Sequence, residues 1–173
     1  MTNGNLDRAI RQRWIDQNLH AAFKAYWADP LEARFSPFNF AEARPNQGSA
    51  YMPYCVFESM GGPPPTRSTG KSGEATVEIE YRTVPAQFVV HATDYTNQSN
   101  QKSSGKEICD ALGRLIIAAY QDSAGPLVLD GGDCHIQTLV GQDVCRRNDD
   151  DVWEWVFPFE FQIERRRTID TSR

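Results

Sequence analysis

The chain has 173 residues, a net charge of −5 and a hydrophobic fraction of 40%, with a mean hydropathy of −0.56. This length predicts one domain, residues 1–173, with sizeable polar loops. No apolar run approaches the roughly 18 residues of a membrane helix, and the N-terminal segment lacks the apolar core of a signal peptide. We therefore expect no membrane association, synthesis in the cytoplasm and, from the negative charge, no general affinity for nucleic acid.

The first predicted element is an amphipathic helix from Leu6 to Trp27. Apolar residues recur along it at steps of three and four, which is the period of a helix with one buried face. Asp29 precedes Pro30, and the residue before a proline avoids the helical region, so the helix is expected to end there.

The segment that follows, residues 30–50, has no sustained period and is long for a connection within a compact domain. It contains three phenylalanines: Phe35, Phe38 and Phe40. Their rings are expected either to fold back on their own domain, the interpretation we favour, or to dock on another subunit. They are therefore candidate interaction residues.

Three strands are predicted in the middle of the chain. The first, Tyr51 to Glu58, is apolar on both faces but contains Pro53, which favours an edge position or a bulge. The other two, Thr76 to Arg82 and Val84 to Thr93, alternate in opposite phase, which predicts a tight turn or bulge at Thr83.

A loop rich in glycine, proline and serine, residues 59–75, separates the first of these strands from the second. It contains no core-forming residues and is predicted to be an exposed, mobile arm. Its two basic residues, Arg67 and Lys71, are candidate contacts with a partner.

A second helix is predicted from Ser104 to about Gln121. Ser104 and Glu107 have the spacing of a capping box, and an apolar stripe follows them. The helix is expected to cover the sheet face that carries the aromatic strand described next.

The C-terminal part is predicted to be a hairpin of two strands, Cys134 to Arg146 and Val152 to Glu164. In the second, VWEWVFPFEFQIE, every second residue from Trp153 to Ile163 is apolar, which is the period of a strand with one buried face. Such an aromatic face needs a covering layer. Pro158 predicts a bulge or bend.

The half of this strand before Pro158 is a candidate contact with a neighbouring subunit through Trp153 and Trp155. Residues 165–173 are predicted to be a charged tail, frayed or docked on a partner. Three arginines of this tail are further candidate contacts: Arg165, Arg166 and Arg167.

Together these elements predict an α+β fold in one domain. Its sheet is expected to be mostly antiparallel, with about four to five strands covered by two helices. Long exposed loops are expected at about 30–50 and 59–75.

No catalytic, metal or cofactor site is predicted. Gly70-Lys71-Ser72 is not a phosphate-binding loop, because Pro65 stands where that loop needs glycine. The acidic turn Asp149 to Asp151 lacks the ligand spacing of an EF-hand.

The three histidines have no metal-ligand spacing: His20, His91 and His135. The four cysteines contain no CxxC pair and are interpreted as reduced and structural: Cys55, Cys109, Cys134 and Cys145.

The order and texture of the elements resemble the tail-terminator or tail-completion proteins of long-tailed bacteriophages. The resemblance covers about Leu6 to Arg166 and has no invariant motif. It is carried most by Asp94-Tyr95 after the central strand, by the helix with Ile108 to Ile117, and by the terminal F.F.I strand.

The resemblance implies an α/β fold and a structural role in the virion, without enzymatic activity or a cofactor. Six copies would form a ring that caps the tail tube, stops its polymerisation and binds the head–tail connector or neck protein. DNA would only pass through the lumen, and assembly would occur in the host cytoplasm.

Two alternatives stay open. The first is another head–tail joining protein, either a head-completion adaptor or a tail-tube-like subunit. The second is a small-ligand-binding or hydrolytic α/β domain, which would need His91, Asp94 or His135 to converge in a pocket.

Overall fold

The computed structural model describes residues 4–40, 49–72, 75–130, 132–138 and 143–169. It is mostly sheet, with 45% of residues in strands and 26% in helices. The helices are α1 (Gly4–Asp16), α2 (Leu19–Lys24) and α3 (Gly105–Tyr120). The strands are β1 (Phe38–Phe40), β2 (Tyr54–Ser59), β3 (Thr66–Ser72), β4 (Ala75–Ala92), β5 (Tyr95–Thr96), β6 (Lys102–Ser103), β7 (Leu127–Leu129), β8 (Gly132–Thr138), β9 (Val144–Arg147) and β10 (Trp153–Ile169).

The sheet is built on a long antiparallel pair, β4 and β10. Their pairing runs from Trp153 with Ala92 to Ile169 with Thr76. β2 and β3 both pair with the other edge of β4, and β8 and β9 both pair with the other edge of β10. β1 extends the sheet beyond β2 in parallel, and β7 extends it beyond β8. β5 and β6 form a separate small hairpin.

Two prolines inside this pair lie at gaps between the outer strands. Pro158 lies between the part of β10 that pairs with β9 and the part that pairs with β8. Pro85 lies in the corresponding gap of β4, between the residues paired with β3 and those paired with β2. Proline has no N–H for a ladder hydrogen bond, and at these gaps no outer strand requires one.

The bulge predicted at Pro158 and the tight turn or bulge predicted at Thr83 are therefore wrong. The register between β4 and β10 continues residue by residue through both positions. The change of phase at Thr83 is real, but it has another cause. Before this residue, β4 extends beyond the hydrophobic core, so apolar residues no longer have to face the helices.

All three helices contribute to one core on one face of the sheet, which we call the helix face. On this face, β4 presents its even-numbered residues and β10 its odd-numbered residues. Phe88 contacts the rings of Tyr120 on α3, at 4.7 Å, and Phe159, at 5.2 Å. α3 begins with the predicted capping box of Ser104 and Glu107, and it covers the aromatic strand as expected.

The predicted helix from Leu6 to Trp27 is two helices. Asn18, between α1 and α2, has the left-handed φ of 52° that asparagine tolerates better than most residues. The resulting turn places Phe23 of α2 against Trp14 of α1, with ring centroids 5.0 Å apart. Phe38 of β1 stacks on Trp14 at 4.4 Å. The aromatic segment thus folds back on its own domain at Phe38, which is the interpretation that we favoured from the sequence.

The predicted fold class is wrong in the size and type of the sheet. In the part of the chain that the structure describes, eight strands form one curled, mixed sheet, in which β1 and β2 are parallel, and there are three α-helices rather than two helices. β3 was not predicted because its sequence, TRSTGKS, has no apolar alternation. It is a strand because β4 extends beyond β2 and offers a free edge for pairing.

Other predicted boundaries also differ. Cys134 to Arg146 contains two strands, β8 and β9, and residues 139–142 between them lie outside the described part. Pro53 precedes β2, which is an interior strand. Arg165 to Arg167 belong to β10 instead of a frayed tail. Parts of both predicted arms, residues 41–48 and 73–74, and the end of the tail, 170–173, lie outside the described ranges.

No helix in the part of the chain that the structure describes is long and apolar enough to span a membrane.

The contact between α3 and β10 leaves no space for a side chain at Gly113. A Cβ there would lie 2.0 Å from Cζ of Phe157. We expect Gly113→Val to destabilise the fold by about 1–3 kcal/mol through overpacking. Ala118→Val, at an exposed position of the same helix, is the control and should cost well under about 1 kcal/mol. Urea denaturation measures both, and equal effects would contradict the close packing.

His20 gives the helix pair a pH dependence. Nδ1 of His20 accepts a hydrogen bond of 2.7 Å from Nε1 of Trp14. Burial, with Lys24 and Arg11 nearby, holds the pKa of His20 below its ordinary value of 6.5. Protonation therefore favours the unfolded chain, so stability should fall as the pH drops below 6.5 and level off below the folded pKa.

The variant His20→Gln keeps a side-chain acceptor for Trp14 but does not titrate. Denaturation of both proteins between about pH 5 and 7.5 should show a smaller loss of stability on acidification in the variant. An identical pH dependence would show that His20 does not contribute.

Candidate interaction surfaces

Beyond the core, three strands continue as a narrow extension of the sheet, which we call the ribbon. It consists of β3, residues 75–82 of β4 and residues 164–169 of β10. Of its side chains that the structure describes, none is buried, and none belongs to the hydrophobic core. Among the described residues, the ribbon is therefore held by strand pairing and has no covering layer.

The helix-face side of the ribbon is charged and mostly basic. Residues that pair across an antiparallel ladder share a face, so the register identifies its members. Five cations and two carboxylates lie there: Arg67, Lys71, Arg82, Arg165, Arg167, Glu78 and Glu80.

Only part of this charge is paired. Nε of Arg67 lies 3.1 Å from Glu80, and Nη1 of Arg67 lies 3.8 Å from Glu78. Arg82, Arg165 and Arg167 make no salt bridge with any residue that the structure describes. Nε of Arg82 and Nε of Arg165 also have no hydrogen-bond partner there. The side thus keeps unneutralised positive charge.

The other side of the ribbon carries a row of apolar residues from β4: Val77, Ile79 and Tyr81. Tyr81 is 47% exposed. Beside this row, Arg166 pairs with Glu164 along β10. Val77 and Ile79 are half-buried, so the row is only partly covered by the described residues, and a partly exposed apolar row of this kind is typical of an interaction surface.

The main body of the sheet has a second surface, opposite the helix face, that no described helix covers, and we call it the open face. A groove of about 470 Å³ lies on it, between β2, β4, β9 and β10. Its lining residues are Tyr54, Val56, Glu58, Gln87, Val89, His91, Arg146, Glu154 and Val156. Val56 and Val89 form an apolar floor, at 5% and 9% exposure.

Glu154 is a carboxylate of the groove that has several polar partners. It accepts hydrogen bonds from Nε of Arg146 and Nδ2 of Asn148, both at 3.1 Å. Nδ1 of His91 lies 3.6 Å from it, and the ring of Tyr54 stacks on His91 at 4.7 Å. This network of hydrogen bonds and ring contacts fixes one wall of the groove.

Two other carboxylates give the open face its negative character. Glu58 accepts a hydrogen bond of 2.7 Å from Nε2 of Gln87. Glu160 pairs in register with Pro85, and so lies on the same side of the sheet. With Glu154, the described side chains of the open face include three carboxylates and one arginine, Arg146, which pairs with Glu154. Sequence reasoning missed this surface, although its residues occupy the polar positions of alternating strands.

The predicted interaction residues divide between core and ribbon. Phe38 is in the core, at 2% exposure. Phe35 contacts the ring of Tyr51 at 4.5 Å, and Phe40 contacts that of Phe57 at 5.9 Å. The structure places all five basic candidates on the ribbon. Four of them lie on its helix-face side, and Arg166 lies on the opposite side: Arg67, Lys71, Arg165, Arg167 and Arg166.

The two tryptophans do not form a separate layer. Trp155 stacks on Phe157 at 5.0 Å, and its Nε1 donates a 3.0 Å hydrogen bond to Asp143. Trp153 packs against the start of α3, where a Cβ on Gly105 would lie 2.7 Å from its ring. Both rings are partly buried against the same core as the phenylalanines.

The residues of the alternative ligand pocket do not converge. Asp94 accepts a hydrogen bond of 2.8 Å from the backbone N–H of Gly105, at the start of α3. His91 pairs in register with Glu154, whereas His135 pairs with Gln162. Eight residues of one strand separate these two partners, which is roughly 26 Å.

The described residues contain no group of three or more metal-ligating side chains. All four cysteines are free thiols, and all but Cys145 are buried. Burial raises the pKa of Cys55 and raises that of Cys109 to about 12. Such thiols are not ionised at neutral pH and are poor nucleophiles, which fits a structural role.

No protein-family model and no curated protein matches the chain. Among solved structures, a chain of the "Virion of native gene transfer agent (GTA) particle" is similar, with 15% sequence identity and a TM-score of 0.45. The match covers 93% of this chain and 96% of that chain. Similarity at this level does not decide function.

Ribbon residues should contribute little to folding stability. Arg167 is exposed at the end of β10, so we expect Arg167→Ala to change the free energy of unfolding by less than about 0.5 kcal/mol. Phe161→Ala, on the same strand but in the core at 0% exposure, should cost about 3–5 kcal/mol. Denaturation curves compare them. A large loss with Arg167→Ala would mean that the ribbon supports the fold.

Proposed function

We propose that the protein is a structural component of a phage-like virion and acts without catalysis or a cofactor. Copies of the chain form a ring at the end of the tail tube, with six subunits. The ring stops tube polymerisation and presents a surface to the head–tail connector or neck protein. DNA passes through its lumen.

The uncovered ribbon is the observation that supports this proposal most. It places an apolar row and a basic side outside the core, on an element that contributes no buried side chain. Such a surface is typical of a subunit that is completed by its neighbours. Repetition of one head-to-tail contact between identical subunits produces a closed ring when the rotation closes.

The layout of the chain supports the same role. The closing aromatic strand and the covering helix α3, which carried the resemblance to tail terminators, form the centre of the core. In contrast, the dispersed positions of His91, Asp94 and His135 give no support to the small-ligand or hydrolytic alternative.

Self-assembly tests the proposal. We expect light scattering and negative-stain microscopy of the purified protein to show a ring of about six subunits. Added tail tubes should be bound at their ends only. A protein that stays monomeric at high concentration and binds neither tubes nor connectors would contradict the proposal.

The same images distinguish the nearest alternatives. A head-completion adaptor should bind isolated connectors and leave tube ends free. A tail-tube-like subunit should polymerise into open tubes instead of stopping at one ring.

A further inference from the structure

We infer that the basic side of the ribbon of one copy covers the acidic open face of the next copy. This inference rests on the proposed function, since it assigns the contact by which the ring would assemble. It commits the groove to one occupant, the ribbon of a second copy.

The two surfaces cannot meet within one chain. The basic side of the ribbon belongs to the helix face of the sheet, whereas the groove lies on the opposite, open face. The middle of the ribbon, Ile79, and the groove floor, Val89, belong to the same strand, β4. Ten residues of continuous strand separate them by roughly 33 Å. A rigid strand cannot fold back over that distance, so a ribbon that covers the groove must belong to another molecule.

The charges of the two surfaces are complementary. The ribbon side has five cations against two carboxylates, and three of its arginines lack an ion pair among the described residues. Among the described side chains of the open face, Arg146 pairs with Glu154, and Glu58 and Glu160 supply the net negative charge. Complementary potentials favour the contact and suppress the competing ones, in which two ribbons or two open faces would meet.

The geometry of the contact is heterologous. The ribbon extends beyond the hydrophobic core of its own subunit, so it can lie over the open face of a neighbouring subunit. Each copy then gives one ribbon and receives one, and both surfaces are used once. Such a contact repeats until the chain of subunits closes into a ring.

The area of the contact explains why closure matters. One side of the ribbon, about eight residues long and three strands wide, covers roughly 370 Å². That is about half of the roughly 800 Å² that each partner contributes to a standard interface. A single contact should therefore be weak and sensitive to salt, whereas in a closed ring every copy is held by two contacts.

Charge reversal in two separate variants tests the pairing. Arg165→Glu with Arg167→Glu makes the ribbon acidic, and Glu58→Lys with Glu160→Lys makes the open face basic. Each double variant alone should associate at least tenfold more weakly than the wild type. An equimolar mixture should assemble again, because each altered surface then meets a complementary one on the other variant.

The matched control is Arg8→Glu with Arg114→Glu, which reverses two exposed arginines on α1 and α3. It changes the net charge as much as the ribbon variant and should assemble like the wild type. Urea denaturation of each variant verifies that it is folded, and sedimentation velocity measures the assembly.

The outcomes separate this inference from the proposed function. Assembly by the wild type and equally by the ribbon variant would overturn the inference and leave the ring intact. Loss of assembly without recovery in the mixture would overturn the open face as the partner of the ribbon. A wild type that neither self-associates nor binds tubes or connectors would overturn the proposed function itself. Loss in each variant with recovery on mixing supports the inference.

Discussion

The structure depends on one uninterrupted pairing, that of β4 with β10. Every one of the 17 residues of β10 has a partner on β4. The two strands are therefore much longer than the five or six residues of an average strand, and longer than the core that covers them. All other strands of the large sheet are attached, directly or through one neighbour, to the outer edges of this pair.

The excess length divides the pair into two environments. Where α3 covers it, even-numbered residues of β4 and odd-numbered residues of β10 are apolar and buried, as Phe88 and Phe159 are. In the part of β4 that precedes Val84, and in the part of β10 that pairs with it, the strands contact no described helix. The positions on the helix-face side are mostly charged there, as Glu80 and Arg165 are. One continuous backbone thus supports a core in one half and an exposed, charged surface in the other.

This division also provides the two surfaces through which we propose that copies of the protein assemble. A ribbon held by strand pairing alone would be marginal if it were isolated, but here it continues two strands that are fixed by the core. Its position is therefore fixed by its own chain, which would lower the entropy cost of the proposed association. The groove on the open face is equally fixed, because Glu154 is held by Arg146 and Asn148.

The sequence by itself determined what local chemistry specifies. The alternation from Trp153 to Ile163 identified the aromatic strand and its buried face, and Ser104 with Glu107 identified the start of α3. These are signals of neighbouring residues: side chains alternate along any strand, and a capping box satisfies N–H groups within one turn. The spacing of the four cysteines contains no CxxC motif, and in the structure three of them are buried free thiols.

Only the tertiary structure decided the features that depend on distant partners. β3 is polar and reads as a loop, yet it is a strand because β4 offers it a free edge. Pro158 was expected to cause a bulge or bend, yet β10 keeps its register with β4 through this residue, because the outer strands β8 and β9 leave a gap there. The basic ribbon and the acidic open face are assembled from residues far apart in the chain, such as Arg67 with Arg165 and Glu58 with Glu154. Their positions follow from strand register, which a single sequence does not record and long-range pairing fixes.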